Sequence, residues 1–218
     1  MDSPVPKNEL KAIELSLREW RNPIEFGSVA HELNVRMPNK QFQRQAGLQF
    51  FREATNAADF AKALGCELVR LCAGNWPDFE TSKDGVEKGY ELIEAMAKDR
   101  KRGDEDWDSK EPEFVSVSEW NKETEMIPGE LRKAVAKKVG KNYSSNKSGL
   151  VIYLNIGTFK FGAMEKGIVA EFHAATELAK DKFNEVWIAW GIKHYLLWRD
   201  GKAFHEVFQA PLNLHATE

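Results

Sequence analysis

Cysteine is scarce in this chain. Its 218 residues contain two, Cys66 and Cys72. Two thiols cannot build a disulfide framework, and their spacing fits neither a CxxC redox motif nor a zinc pair. The expectation is a cytoplasmic protein with reduced, structural thiols. Long apolar runs are missing as well. Nothing approaches the ~18 consecutive apolar residues of a membrane span, and Met1-Asp2-Ser3-Pro4 lacks the basic and apolar regions of a signal peptide. Excess charge of one sign is absent: 31 Lys and Arg face 34 Asp and Glu, a formal −3. A dedicated non-specific nucleic-acid binder is strongly basic, so any such role must rest on local features. There is no Walker loop, GxGxxG or GxSxG motif. His31, His173, His194, His205 and His215 show no HExxH or other paired metal spacing.

What remains is an ordinary globular composition, 42% apolar and 30% charged, in a chain long enough to bury roughly 70% of its unfolded surface. Residues 8–20 read as an amphipathic helix with Asn8 as N-cap, closed by Pro23. Residues 24–45 show no clear pattern. A helix over 43–64 carries Leu48, Phe51, Ala58, Ala61 and Leu64 and stops at Gly65. Strand-like segments at 66–72, 76–81 and 89–95, with a turn at Ser82-Lys83-Asp84-Gly85, predict a β-meander. Residues 98–113 turn from basic to acidic and read as a solvated loop. A break at Ile127-Pro128-Gly129 precedes a helix over 129–143. The apolar run 149–157 fits a strand covered on both faces. A helix over 162–181 and two strands, 183–191 and 194–199, follow. Trp187, Trp190 and Trp198 are expected to pack against that helix. The organisation predicted is an N-terminal helical extension (1–42), an α/β domain (43–200) ending in a β-hairpin, and a tail (201–218).

The acidic residues of interest lie in the meander. Asp78 begins one strand; Glu91 and Glu94 lie on the next. Carboxylates opposed across paired strands sit ~5 Å apart and repel unless a cation joins them. Side chains alternate along a strand, so Glu91 and Glu94 cannot both face Asp78. The apolar pair Leu92-Ile93 before Glu94 favours Glu94 as the partner, with Glu91 joining through a bulge. A second signal comes from the helix at 129–143. At ~100° per residue, Lys138 falls about −20° from Leu131, inside the apolar arc, while Lys133 and Lys137 fall on the far side and Lys141 at the edge. A core-facing lysine needs an anionic partner.

Helix, three-strand meander, helix, strand resembles the αβββαβ core of the restriction-endonuclease-like, or PD-(D/E)XK, nuclease superfamily. Pro77-Asp78 resembles its first motif, and Tyr90-Glu91-Leu92-Ile93-Glu94-Ala95-Met96 its second, over roughly residues 43–200. The strand lysine is missing: Met96 stands in its place if Glu94 is the acid, Ile93 if Glu91 is. Some members carry that lysine on the following helix, which makes Lys138 the candidate and Lys141 the reserve. The resemblance implies a mixed sheet flanked by helices, with Asp78 and Glu94 binding Mg²⁺ or Mn²⁺ and Glu53 completing the metal site. It also implies phosphodiester hydrolysis assisted by Lys138. Arg100, Arg102, Lys137 and Lys141 would hold nucleic-acid phosphates, with DNA ahead of RNA as substrate. The alternative is a member of the fold that binds nucleic acid or protein without catalysis. A homodimer or protein partner stays open, and no membrane association is expected.

Overall fold

The computed structural model describes residues 5–36, 48–74, 76–96, 117–141, 148–155 and 165–210. Among them the chain is a three-layer α/β structure around one mixed sheet. In order come α1 (Lys7–Ser16), α2 (Pro23–Arg36), α3 (Gln49–Leu64), β1 (Leu68–Leu71), β2 (Phe79–Lys83), β3 (Val86–Met96), α4 (Val117–Val139), β4 (Gly149–Asn155), α5 (Glu165–Thr176), a 3₁₀ turn (Glu177–Ala179), β5 (Glu185–Trp190), β6 (Lys193–Arg199) and β7 (Lys202–Gln209). The seven strands lie side by side in sequence order. β3–β4 and β4–β5 are parallel; the other pairs are antiparallel.

The parallel pairs need crossovers, and α4 and α5 supply them. Both helices cover one face of the sheet, burying Ile127, Leu131, Val135, Ile168 and Phe172 against Leu150, Ile152, Val186 and Ile188. The opposite face carries α1, α2 and α3, with Leu17, Phe26, Leu33 and Phe60 among the buried side chains. Phe60 is the centre of that face. Its ring lies 4.8 Å from Tyr90, 5.2 Å from Trp187, 5.7 Å from His194 and 5.8 Å from Phe79. The hairpin β2–β3 turns through Asp84-Gly85 and β6–β7 through Asp200-Gly201, all four residues at positive φ, as two-residue hairpin turns require.

Several elements differ from expectation. Pro23 opens a helix instead of closing one. Asn22 Oδ1 accepts from the N–H groups of Ile24 (3.1 Å) and Glu25 (2.9 Å), which is an N-cap followed by proline at the first helical position. Residues 24–36 of the stretch without clear pattern therefore belong to α2; its remainder lies outside the described residues. The N-terminal segment is integral to the α3 face, and its residues 17–21 cover the outer edge of β1: Val69 N–H donates to Arg21 O at 2.8 Å and Leu71 N–H to Leu17 O at 2.8 Å. α4 starts at Val117 and runs through Pro128. The expected tail contains β7, which extends the sheet past the predicted hairpin. Trp190 packs against Phe172, and Trp198 against His173 as well as donating to Thr176 Oγ1, but Trp187 lies on the opposite face. The run 98–113 lies outside the described residues. Among the described residues no helix is long and apolar enough to cross a membrane.

Truncating Phe60 to Ala should cost about 3–5 kcal/mol, read as a lower urea midpoint at unchanged m-value. A loss under about 1 kcal/mol would mean that this ring does not anchor the face.

Candidate functional site

The β2–β3 ladder ends at Phe79↔Tyr90. Asp78 is the next residue outward and opposes Glu91. It is held there by its own backbone and side chain. Its N–H donates to Tyr90 O at 2.9 Å and its carbonyl accepts from Cys72 N–H at 3.0 Å. Its Oδ2 accepts from Leu92 N–H at 2.7 Å, replacing a bond that a continuing β2 would have made. From here β3 pairs with β4 alone among the described residues.

Alternation along β3 sorts the side chains. Tyr90 and Leu92 face α3; Ile93 and Ala95 face α4, and so does Glu91. The Glu91 side chain is fully buried, and its Oε2 is paired with Lys138 Nζ. Lys138 follows Leu131 and Val135 on the inward stripe of α4, so its side chain is only 12% exposed. Glu91 Oε1 has no hydrogen-bond partner among the described residues. Burial pushes the Glu91 carboxyl up to about 7; the Asp78 charge adds to the rise and Lys138 opposes it. Glu53 on α3 is half-buried and accepts from Gln49 Nε2 at 2.7 Å. Burial raises its carboxyl too, with a further push from Asp78. Three carboxylates and one ammonium thus share a field where β2 leaves the sheet.

Glu94 is not part of this group. The expectation that it partners Asp78 is corrected: it lies three residues after Glu91, hence on the α3 side, and its Oε1 accepts from Asn155 Nδ2 at 2.8 Å. Glu91, expected to join only through a bulge, faces Asp78 just beyond the last ladder pair, where the Asp78 N–H bonds to Tyr90 O, one residue out of step with the ladder. Lys137 and Lys141 are exposed, and neither is brought to the acidic pair. Arg100 and Arg102 lie outside the described residues. Leu92 N–H and Gln49, which orient Asp78 and Glu53, escape sequence reading: one is a backbone group, and the other is recognisable only as the residue four before Glu53. Cys66 is buried and Cys72 half-buried; burial pushes the Cys72 thiol up to about 12, which leaves it inert.

Among the described residues no three His, Cys, Asp or Glu side chains form a group that could hold a metal ion; Glu53 shares the electrostatic field of Asp78 and Lys138. The donor set that remains suits Mg²⁺, which takes one or two carboxylates and keeps several waters. Two opposed carboxylates are present, one with a buried oxygen lacking a donor. A second buried acid, Glu185, behaves differently. It accepts from Lys88 Nζ (2.8 Å), Trp187 Nε1 (3.1 Å) and Tyr90 Oη (3.3 Å). Burial alone would raise its carboxyl, but these partners hold it below the usual range.

No family model matches the chain, and no curated protein or solved structure matches it either.

The Glu91 environment has a pH consequence. The unfolded carboxyl releases its proton near 4.5 and the folded one near 7. Between those values the folded state holds more protons, so stability falls as pH rises through that window, by at most ~3 kcal/mol. Asp78 from the β2 entry, Lys138 from α4 and Glu53 from α3 face the same field. Urea unfolding at pH 5 and pH 8 should show this loss shrinking in Glu91→Gln. Equal losses in both proteins would contradict it.

Proposed function

We propose that this chain is a divalent-metal nuclease of the PD-(D/E)XK kind, with Glu91 rather than Glu94 as the second acid. The observation that carries the reading is the meeting of Asp78, Glu91 and Lys138 from three separate elements. The order α3, β1–β2–β3, α4, β4 supports it, since it is the helix–meander–helix–strand order of that superfamily. Asp78 stands where the second strand begins, and Glu91 follows on the third. Ile93, in the strand position of the family lysine, faces the same side as Glu91. The ammonium of Lys138 arrives at that side from α4.

Asp78 and Glu91 would hold Mg²⁺ or Mn²⁺. The ion supplies an activated water and charge neutralisation at the phosphate. The chain's own groups do the rest. Leu92 N–H fixes one Asp78 oxygen, which orients the other. The Lys138 ammonium, which faces Glu91, would orient a water or a non-bridging phosphate oxygen as negative charge develops. Ile93 and Ala95 keep water from the inner side of the pair. Arg132, Lys137 and Lys141 are exposed along and just past α4, and they would attract backbone phosphates without reading sequence. DNA is the substrate proposed first.

Incubation with labelled DNA and RNA, with Mn²⁺ or with EDTA, tests the reading. Metal-dependent cleavage should vanish in Asp78→Ala and Glu91→Ala and persist in Glu94→Ala. Lys138→Met should slow it by about 10²–10³-fold while isothermal titration still detects Mn²⁺. Cleavage that survives Glu91→Ala would place the chemistry elsewhere. Mn²⁺ binding without cleavage of either nucleic acid would favour a member of the fold that has lost catalysis.

A further inference from the structure

The acidic pair depends on a contact outside it. Pro77 directly precedes Asp78, and its ring lies against Gly89 of β3, two residues before Glu91. A methyl group at Gly89 would stand 2.9 Å from Pro77 Cγ and 3.2 Å from its Cβ, too close for either to stay in place. Gly89 is not among the residues at positive φ, so its backbone does not call for glycine. What the position requires is space. Asp78 is bonded covalently to Pro77 and held to β3 by its N–H on Tyr90 O and its Oδ2 on Leu92 N–H, so pushing Pro77 off β3 would pull against these two bonds and the carboxylate they hold.

We propose that Gly89 is a positioning residue: the missing side chain lets Pro77 seat against β3 and thereby sets the separation of the Asp78 and Glu91 carboxylates, and with it the affinity for a divalent cation. This rests on the metal reading of the site given above. Gly89 belongs to no binding motif and touches no charged atom of the pair.

The test is Mn²⁺ titration of the wild type, Gly89→Ala, Gly89→Val and Glu87→Ala, with thermal unfolding of each in EDTA. Gly89→Ala should bind Mn²⁺ about 10-fold more weakly, a loss of ~1.4 kcal/mol, and Gly89→Val more weakly still. Their unfolding temperatures in EDTA should stay within a few degrees of the wild type, and Glu87→Ala, an exposed change on the same strand, should bind normally. Asp78→Glu should weaken binding in the wild type. In the Gly89→Ala background its longer arm should restore part of the affinity, which a purely structural defect would not allow. Wild-type affinity in Gly89→Ala overturns the proposal. So does a Gly89→Ala protein that fails to fold, because the glycine would then serve the fold and not the site. A wild type that binds no Mn²⁺ removes the metal reading itself, an outcome distinct from both.

Discussion

A carboxylate with no exposure to water, Glu91, is the constraint around which this half of the molecule is arranged. An isolated charge at that depth costs several kcal/mol even after relaxation. The compensation comes from another element: Lys138, on the helix that crosses from β3 to β4. For its ammonium to arrive there, α4 must lie with Leu131 and Val135 on the sheet, and β4 must follow in parallel beside β3. Asp78 must also stand opposite, which requires the β2–β3 ladder to begin at Phe79 and go no further toward the N-terminus. One buried ionisable group therefore ties together the end of a strand, the rotation of a helix and a crossover.

Two acids buried among the described residues, Glu185 and Glu91, sit in opposite electrostatic environments. Glu185 is saturated with donors from Lys88, Tyr90 and Trp187, and its carboxyl is held low. It has no oxygen left over and serves to bind β3 to β5 across β4. Glu91 has one partner, an acid facing it and a raised carboxyl. Perturbed carboxyls of this kind are enriched at functional sites, and this contrast is what makes Glu91, not Glu185, the acid on which the proposed function rests.

Much of the architecture could be read in the residues. The meander and its Asp84-Gly85 turn follow from local signals, and so does the fully buried strand β4. The inward direction of Lys138 follows from helical period alone. Other parts could not be read. Asn22-Pro23 marks a helix start as well as it marks a stop, and only the packing of α2 on α3 decides between them. Strand β7 has a mostly exposed burial pattern, so it carries almost no hydrophobic alternation, and its pairing with β6 defines it. Trp187 and Trp190 are three apart on one strand and thus face opposite layers, although composition groups them.

The choice between Glu91 and Glu94 divides sequence from structure most sharply. Sequence alone determines that the two acids face opposite sides of β3, because strand alternation is a property of the backbone. It also determines that one lysine of the crossover helix points inward, because 3.6-residue periodicity needs no neighbours. Which acid meets that lysine is a matter of register. It was decided by where the β2 ladder stops and by which face of the sheet receives α4, and both are set by long-range pairing that no local pattern encodes.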